Sequence, residues 1–296
     1  MTWQPEQIPD QHGRSFIVTG ANGGLGEITT RVLAAKGATV LMACRNVTKG
    51  RQIAATVEGD VQVAELDLAD LESVRRFASQ QPAFDVLINN AGLMNIPFSR
   101  TKDGFETQFG VNHLGHFALT GLLLDKIGDR VVTLSSIAHR HTPTLWIDDL
   151  NYTGRRYQRN LAYAQSKLAN LMFARELQHR LAAAGSTRRS YAVHPGVAGT
   201  DLFTNTETLI DLVAKQAAGL VGHRPDIAVH STLLAATATD ADPTIYWGPT
   251  RWAQTRGPVR QSPSSRLSQR RELWQRLWEI SESMTGVIYA LPQVRL

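Results

Sequence analysis

Cysteine is nearly absent from this chain: Cys44 is the only one among 296 residues. A single thiol excludes an intrachain disulfide and a zinc site built on several cysteines. Long apolar runs are missing too, since no stretch reaches the about 18 consecutive apolar residues of a membrane helix. The opening MTWQPEQIPDQHGR has neither a basic segment nor an apolar one, so it does not read as a signal peptide. These absences set the expectation of a soluble cytoplasmic protein with no integral membrane segment. No Pro/Gly/Ser-rich linker divides the middle and no internal repeat recurs, which points to one domain over residues 1–296. Carboxylates are scarce late in the chain, where Arg251, Arg256, Arg260, Arg266, Arg270, Arg271 and Arg276 have only Glu272 among them. This stretch carries much of the formal charge of +5. It reads either as a nucleic-acid patch or as a solvated loop and helix face. No nucleic-acid-binding motif accompanies the arginines, so nucleic acid is not an expected partner.

What the chain does have is apolar content, 43% of residues against 19% charged, enough for a large core. Short apolar runs alternate with helix-like stretches. SFIVTG (15–20), TVLMAC (39–44), VQVAEL (61–66), DVLINN (85–90), RVVTLSS (130–136) and SYAVHPG (190–196) are strand candidates. Helices are expected over 24–36 and near 47–57, 70–80, 104–126 and 160–184. Continuous apolar strands separated by helices predict a parallel sheet covered on both faces, hence a three-layer, doubly wound Rossmann-type α/β fold. Beyond residue 200 the pattern loosens. Helices are expected over 206–221 and 225–239, a last strand at TIYW (244–247), a loop over about 248–266 and a final helix over 264–283. In that last helix Leu273, Trp274, Leu277 and Trp278 recur at helical spacing, which predicts a stripe packed against the body.

Two segments carry chemistry. The first is TGANGGLG (19–26), directly after the first strand and directly before a helix. Gly20, Gly24 and Gly26 allow a tight turn and close approach of backbone to a pyrophosphate, and the helix behind offers unpaired N–H groups and a positive dipole end. At the end of the second strand an acidic residue would bind the ribose 2′-hydroxyl of NAD. This chain has Cys44 and then Arg45, with Lys49 nearby. A guanidinium binds a 2′-phosphate and no carboxylate stands there to repel it, so NADP(H) is favoured over NAD(H). The bland alternative is that Arg45 is a surface charge.

The second segment is YAQSK (163–167), with Ser136 upstream. A tyrosine of pKa near ~10 is a poor acid or base at neutral pH. Lys167 lies one helical turn from Tyr163, and its charge is expected to lower the phenol's pKa. Nine histidines also invite a metal reading, with His113 and His116 or His139 and His141 at short spacing. Neither pair comes with a carboxylate or cysteine set of ligand spacing, so no metal is expected.

With these segments in order, the chain resembles the short-chain dehydrogenase/reductase family over nearly its whole length. Further matches arrive in the family's sequence: Asp67 and Leu68 after the third strand, NNAG (89–92) after the fourth, Asn112 within FGVNHLGHF (109–117), Ser136 in TLSSIAH and HPGVAGT (194–200) after the sixth. ACRN, VNHLGHF, SKLAN, HPGV and the late Leu-Trp pair resemble its retinol-dehydrogenase-like branch. The separation of 27 positions between Ser136 and Tyr163 is longer than is usual in the family, and the same lengthening occurs in that branch.

The resemblance implies a catalytic set of Asn112, Ser136, Tyr163 and Lys167. Tyr163 would be the general acid or base, Lys167 would lower its pKa and bind the nicotinamide ribose, Ser136 would hold the reacting oxygen, and Asn112 would support a water linked to the lysine. It implies cofactor contacts from Gly20, Asn22, Gly24, Leu25, Gly26, Arg45, Asp67, Leu68, Asn89, Ala91, Gly92, Pro195, Val197 and Thr200, besides Tyr163 and Lys167. Asn89 and Asn90 are also expected to hold the fourth strand to its neighbour. The implied function is NADP(H)-dependent hydride transfer to or from a carbonyl or alcohol. Leu202, Phe203, Leu209, Leu212 and Val213 suggest a flap for an apolar substrate. Family members pair through the helices carrying Asn112 and Tyr163, which implies a homodimer or homotetramer unless the long C-terminal segment blocks that face. Two other functions remain open: a non-catalytic NADP(H)-binding redox sensor, and a light-driven reductase of the protochlorophyllide type, which would call for a cysteine in the active-site region.

Overall fold

The computed structural model describes residues 3–196 and 224–291. The expected helix over 206–221 and the apolar flap residues lie outside the described residues, as do Val197 and Thr200. Among the described residues the strands form one eight-stranded sheet in the order β3-β2-β1-β4-β5-β6-β7-β8. The strands are β1 (Ser15–Thr19), β2 (Thr39–Cys44), β3 (Val61–Glu65), β4 (Phe84–Asn89), β5 (Ile127–Leu134), β6 (Arg189–Val193), β7 (Tyr246–Arg251) and β8 (Arg256–Gln261). β1 to β7 are parallel and β8 is antiparallel to β7. The expected doubly wound α/β sheet is present, and the order reverses between β1 and β4.

Both faces of the sheet are buried because successive side chains alternate across it. Phe16 and Val18 of β1 join Met42, Ile88 and Val132 in a core covered by α1 (Gly24–Ala35), α7 (Pro225–Ala228) and α8 (His230–Thr237). Ile17 between them faces the other way, toward Leu87, Val131, Phe117 and Phe173. α2 (Val47–Ala54) and α3 (Leu71–Gln80) complete the early crossovers, each opened by a side-chain cap: Asn46 accepts from the Lys49 amide and Asp70 from the Glu72 amide. The expected helix over 104–126 is broken into α4 (Thr107–Phe109), a π-helical turn (Gly110–Leu114) and α5 (Gly115–Leu123). α6 (Arg159–Ala183) is the longest helix described.

Two late expectations are corrected. The segment 248–266 is not all loop, since it contains most of β7 and all of β8. The turn between them passes through Trp252, Ala253 and Gln254, all with left-handed φ (50°, 52° and 69°). No glycine or Asn-Gly pair marks this turn, so the usual hairpin signal is absent. The final helix, α9 (Arg271–Thr285), begins later than the expected 264. A short 3-10 turn over Leu267–Gln269 precedes it, and Gly286 ends it in the left-handed conformation (φ 64°).

α9 lies across α5 and α6. Trp278 enters an aromatic cluster with Phe117 (centroids 5.1 Å apart), Phe173 (5.9 Å) and Tyr289 (4.4 Å). Its outer face carries the Arg180 guanidinium, 4.4 Å from the ring and paired with Glu176 at 2.7 Å. Leu277, with Leu273 and Trp274, packs into a separate cluster with Leu168 and Met172 of α6, so the stripe lies against the body as expected. This face of the helix pair is therefore covered by the chain's own C-terminal helix. Among the described residues no helix is long and apolar enough to cross a membrane. The Trp278→Ala variant is expected to lose about 3–5 kcal/mol of stability, read as a lower denaturant midpoint with an unchanged cofactor-binding stoichiometry in the folded state.

Candidate active site

A cleft opens at the carboxyl ends of β1, β2, β4 and β5, where the strand order reverses. This is where open α/β sheets bind ligands. Its floor at one end is the loop into α1: Gly20, Asn22, Gly23, Gly24 and Leu25 line it. Gly23 caps α1 without a side-chain bond, so among the described residues no side chain takes the first amides of the helix. Gly20 has φ 64°, and a Cβ there would stand 2.9 Å from Ala91. Gly26 does not line the cleft. A Cβ on it would meet Gly20 O at 2.5 Å and Asn90 Nδ2 at 2.6 Å, so this glycine lets the helix sit against the strand ends rather than touching a ligand.

Along the next wall come Cys44, Arg45, Asn46 and Lys49, then Asp67 and Leu68. Lys49 Nζ is 3.4 Å from where a Cβ on Gly23 would stand, which brings its charge to the glycine loop. Cys44 is buried, and burial raises its thiol pKa; Sγ lies 3.5 Å from Asn46 O. This places it away from Tyr163 and removes the feature a light-driven reductase would need. Asn90, Ala91, Gly92 and Leu93 follow from the β4 exit. Here one expectation is corrected. Asn89 does not face the cleft; its Nδ2 donates to Thr120 Oγ1 (3.0 Å) and Thr133 Oγ1 (3.4 Å), on α5 and β5. Asn90, one residue past the end of β4, turns back to Ile88 O through its amide and lines the cleft, its side chain donating to Thr19 O at 2.8 Å.

At the far end stand Leu134, Ser135, Tyr163, Lys167 and Pro195. The two serines divide their roles. Ser135 Oγ donates to Lys167 O at 2.7 Å, which commits its proton to α6. Ser136 Oγ accepts from the Ala138 amide at 3.2 Å and caps the 3-10 turn Ile137–His141. Its own proton is left for another acceptor, and its hydroxyl bears on Tyr163.

The electrostatics differ from the expectation drawn from the Tyr-x-x-x-Lys spacing. Burial dominates at Tyr163 and pushes the phenol up to about 12, with the Ser136 hydrogen bond pulling the other way. Lys167 is pushed down to about 8 by burial. Its Nζ donates to Leu134 O at 3.1 Å and lies 5.8 Å from the Tyr163 ring centroid. The lysine is near the tyrosine but is not what sets its proton affinity here.

Asn112 is fully buried in the π-helical turn. Its Oδ1 accepts from Leu93 N (2.7 Å), and its Nδ2 donates to Leu93 O (2.9 Å) and Ser166 Oγ (2.9 Å). It braces the loop after β4 against α6 rather than lining the cleft. His113 and His116 are both buried and diverge, toward Ser281 and Thr19 respectively. Among the described residues no group of histidine, cysteine and carboxylate side chains suits a metal ion.

Sequence reasoning missed how the extra residues before Tyr163 fold. Leu145, Ile147 and Leu150 pack onto Leu168 and Met172 of α6. Arg155 lies 3.6 Å from the Tyr152 ring centroid and 4.3 Å from that of Trp146, and donates to Gln165 Oε1 at 2.8 Å. Tyr157 donates to Glu106 Oε1 at 3.0 Å. Burial raises the Glu106 pKa, while the Gln108 and Phe109 amides it caps pull it back. The insertion is thus a packed layer pinned to α4 and α6. Glu106, Gln108 and Tyr157 are scattered polar residues whose partnership has no local sequence signal.

Comparison with known proteins agrees with this geometry. The short chain dehydrogenase family model matches residues 14–148. Human retinol dehydrogenase 13 is 38% identical over 301 aligned positions, covering 96% of this chain and 87% of that protein. The chain belongs to the short-chain dehydrogenase family, in its retinol-dehydrogenase-like branch. Human retinol dehydrogenase 12 is 46% identical over 216 positions, 69% of this chain; the match spans 66% of that protein's length, just under two thirds. A crystal structure of an uncharacterized protein from Mycobacterium paratuberculosis is 44% identical, with a TM-score of 0.86 over 98% of this chain and all of that one. An RhlG/NADP complex from Pseudomonas aeruginosa, 22% identical with a TM-score of 0.60 over 79% of this chain and 94% of its own, shares the fold alone.

In this short-chain dehydrogenase the crowding at Gly26 gives a test of the glycine loop. Gly26→Ala forces a methyl against backbone and the Asn90 amide. It is expected to weaken nicotinamide-nucleotide binding at least about tenfold and to lower Tm, read by fluorescence titration and thermal melting.

Proposed function

We propose that this chain is an oxidoreductase that transfers hydride between NADP(H) and the carbonyl or alcohol carbon of an apolar small molecule, with Tyr163 as the general acid or base. One observation carries the reading: a single cleft has a helix N-terminus opened by a glycine and two cations at one end and the buried Tyr163–Lys167 pair at the other, with Ser136 hydrogen-bonded to Tyr163 from behind the lining. The amides of α1 suit a pyrophosphate. Arg45 and Lys49, on the β2 side of the cleft, suit a 2′-phosphate. Asp67 and Leu68 suit the adenine and Gly92 the nicotinamide ribose, since a Cβ on Gly92 would already touch Lys167 Nζ at 3.4 Å. Bound there, NADP(H) supplies or accepts the hydride.

The protein's residues handle the proton. In reduction the carbonyl carbon gains hydride and its oxygen gains the Tyr163 proton, giving the alcohol. Burial keeps the phenol protonated through neutral pH, so the proton is in place for reduction, and the Ser136 hydrogen bond pulls against burial toward a better acid. In oxidation the phenolate takes the alcohol's proton. Ser136 Oγ, anchored by the Ala138 amide, directs its own proton to the reacting oxygen and stabilises the charge that develops there. Lys167 spends one of its three N–H donors on Leu134 O and keeps two for the ribose and for the phenolate in oxidation. Asn112 positions Leu93 and the start of the lysine's helical turn. The apolar substrate class is supported by kinship with retinol dehydrogenases 12 and 13.

NADPH is expected to raise Tm more than NADH at equal concentration, and Arg45→Ala to shrink that difference; equal stabilisation by the two nucleotides would remove the 2′-phosphate argument. Tyr163→Phe is expected to lower kcat by about 10²–10⁴-fold against a panel of aldehydes, ketones and alcohols while NADPH still binds. Wild-type turnover in that variant would show the proton comes from elsewhere. An NADP(H) sensor instead gives binding without turnover in the wild type.

A further inference from the structure

His116 lies in α5, 1% exposed, and each ring nitrogen has one partner. Nδ1 is 3.0 Å from Asn112 O and Nε2 is 2.9 Å from Thr19 Oγ1. A carbonyl only accepts, so Nδ1 carries the proton and donates to Asn112 O. Nε2 is then an acceptor. The Thr19 hydroxyl meets that need. Its oxygen already accepts the Asn90 and Ala91 amides, each at 2.9 Å, and the other acceptor within reach of its proton, Ile88 O, is farther at 3.4 Å. The chain of donors therefore has one direction, from the β4 exit amides through Thr19 to His116 and on to Asn112. Burial, with the Lys167 charge adding to it, pushes the imidazole down to about 4, so this tautomer persists around neutral pH.

The two ends of the bridge belong to different halves of the site. Thr19 ends β1, directly before Gly20 of the nucleotide loop, and holds the amides of Asn90 and Ala91. Asn112 holds both backbone groups of Leu93 and reaches Ser166, the residue before Lys167. We propose that His116, as its Nδ1-protonated tautomer, is a positioning residue that sets the spacing between the nucleotide-binding strand ends and the Asn112–Lys167 side of the cleft. It lines no part of the cleft, so it acts only through Thr19 and Asn112. The nucleotide half of this proposal is independent of turnover; its kinetic half rests on the hydride-transfer reading.

The test uses the full chain carrying His116→Asn, His116→Gln, Thr19→Val, Thr19→Ser and the double change Thr19→Val with His116→Asn. Asparagine puts an amide near the place of Nδ1 and keeps the donation to Asn112. Glutamine puts one near Nε2 and keeps the acceptor for Thr19. NADPH Kd by fluorescence titration, kcat, KM for NADPH and Tm are measured for each. His116→Asn and Thr19→Val are each expected to weaken NADPH binding about five- to tenfold, with the double variant no weaker than the worse single one. Thr19→Ser is expected to stay within about twofold of wild type in Kd, and His116→Gln to do the same while losing about five- to tenfold in kcat. Multiplying effects in the double variant, or a lower Tm with Kd and kcat unchanged throughout, would overturn the proposal. If Thr19→Val does not fold, the contrast between His116→Asn and His116→Gln in Kd decides the same point. A wild type that binds NADPH without turnover sinks the hydride-transfer reading, and the Kd comparison still judges His116. A wild type that binds no NADPH overturns both.

Discussion

The site depends on how the ends of β1 and β4 are joined. These two strands are adjacent in the sheet but are separated in the chain by β2 and β3, and helices leave them toward opposite faces. The gap between those helices is the cleft. Asn90 closes the join by donating its side-chain amide to Thr19 O at 2.8 Å, while the Thr19 hydroxyl accepts the amides of Asn90 and Ala91. Gly20 and Gly26 are then forced, because the backbones approach too closely for a Cβ at either place. The glycine loop is therefore a packing solution between strand ends and helix as well as part of the cleft wall.

The Tyr163 end of the cleft is governed by desolvation. Tyr163 and Lys167 are both buried, and burial favours the neutral form of each: it raises the phenol and lowers the ammonium. The phenol therefore keeps its proton through neutral pH, and the ammonium is held below its ordinary value. Around them several polar groups are committed to the backbone. Ser135 holds the Lys167 carbonyl, Asn112 holds Leu93, and Asn170 joins Lys167 in donating to Leu134 O at 3.0 Å. Fixed dipoles of this kind need little reorganisation when charge appears on a reacting oxygen.

Much of this architecture is legible in the amino-acid sequence. The early strands and helices follow from continuous apolar runs separated by periodic segments, and the cleft-lining loop from glycines between strand and helix. Where sequence reasoning falls short, the cause is non-local. Asn89 and Asn90 are indistinguishable as letters, and only the course of the chain as it leaves β4 decides which one faces the cleft. The β7–β8 hairpin escapes it because the turn uses left-handed Trp252, Ala253 and Gln254, a conformation that local propensity argues against and tertiary packing imposes: Gln254 is 4% exposed and bonded to Ser262. The electrostatic inference from Tyr163 and Lys167 weighs their mutual charge and leaves out burial, which a four-residue spacing does not contain.

The sequence by itself determined the doubly wound sheet, the glycine loop between β1 and α1 and the one-turn spacing of Tyr163 and Lys167. These depend on periodicity and on short motifs whose members are close along the chain. The tertiary structure alone decided that Asn112 is a brace, that His116 connects it to Thr19, and that Trp278 covers α5 and α6. Those contacts join residues far apart in the chain, as in the Trp278 ring against Phe117. Such pairings are chosen by the packing of whole helices against the sheet, and no local pattern encodes which distant side chain will fill the space.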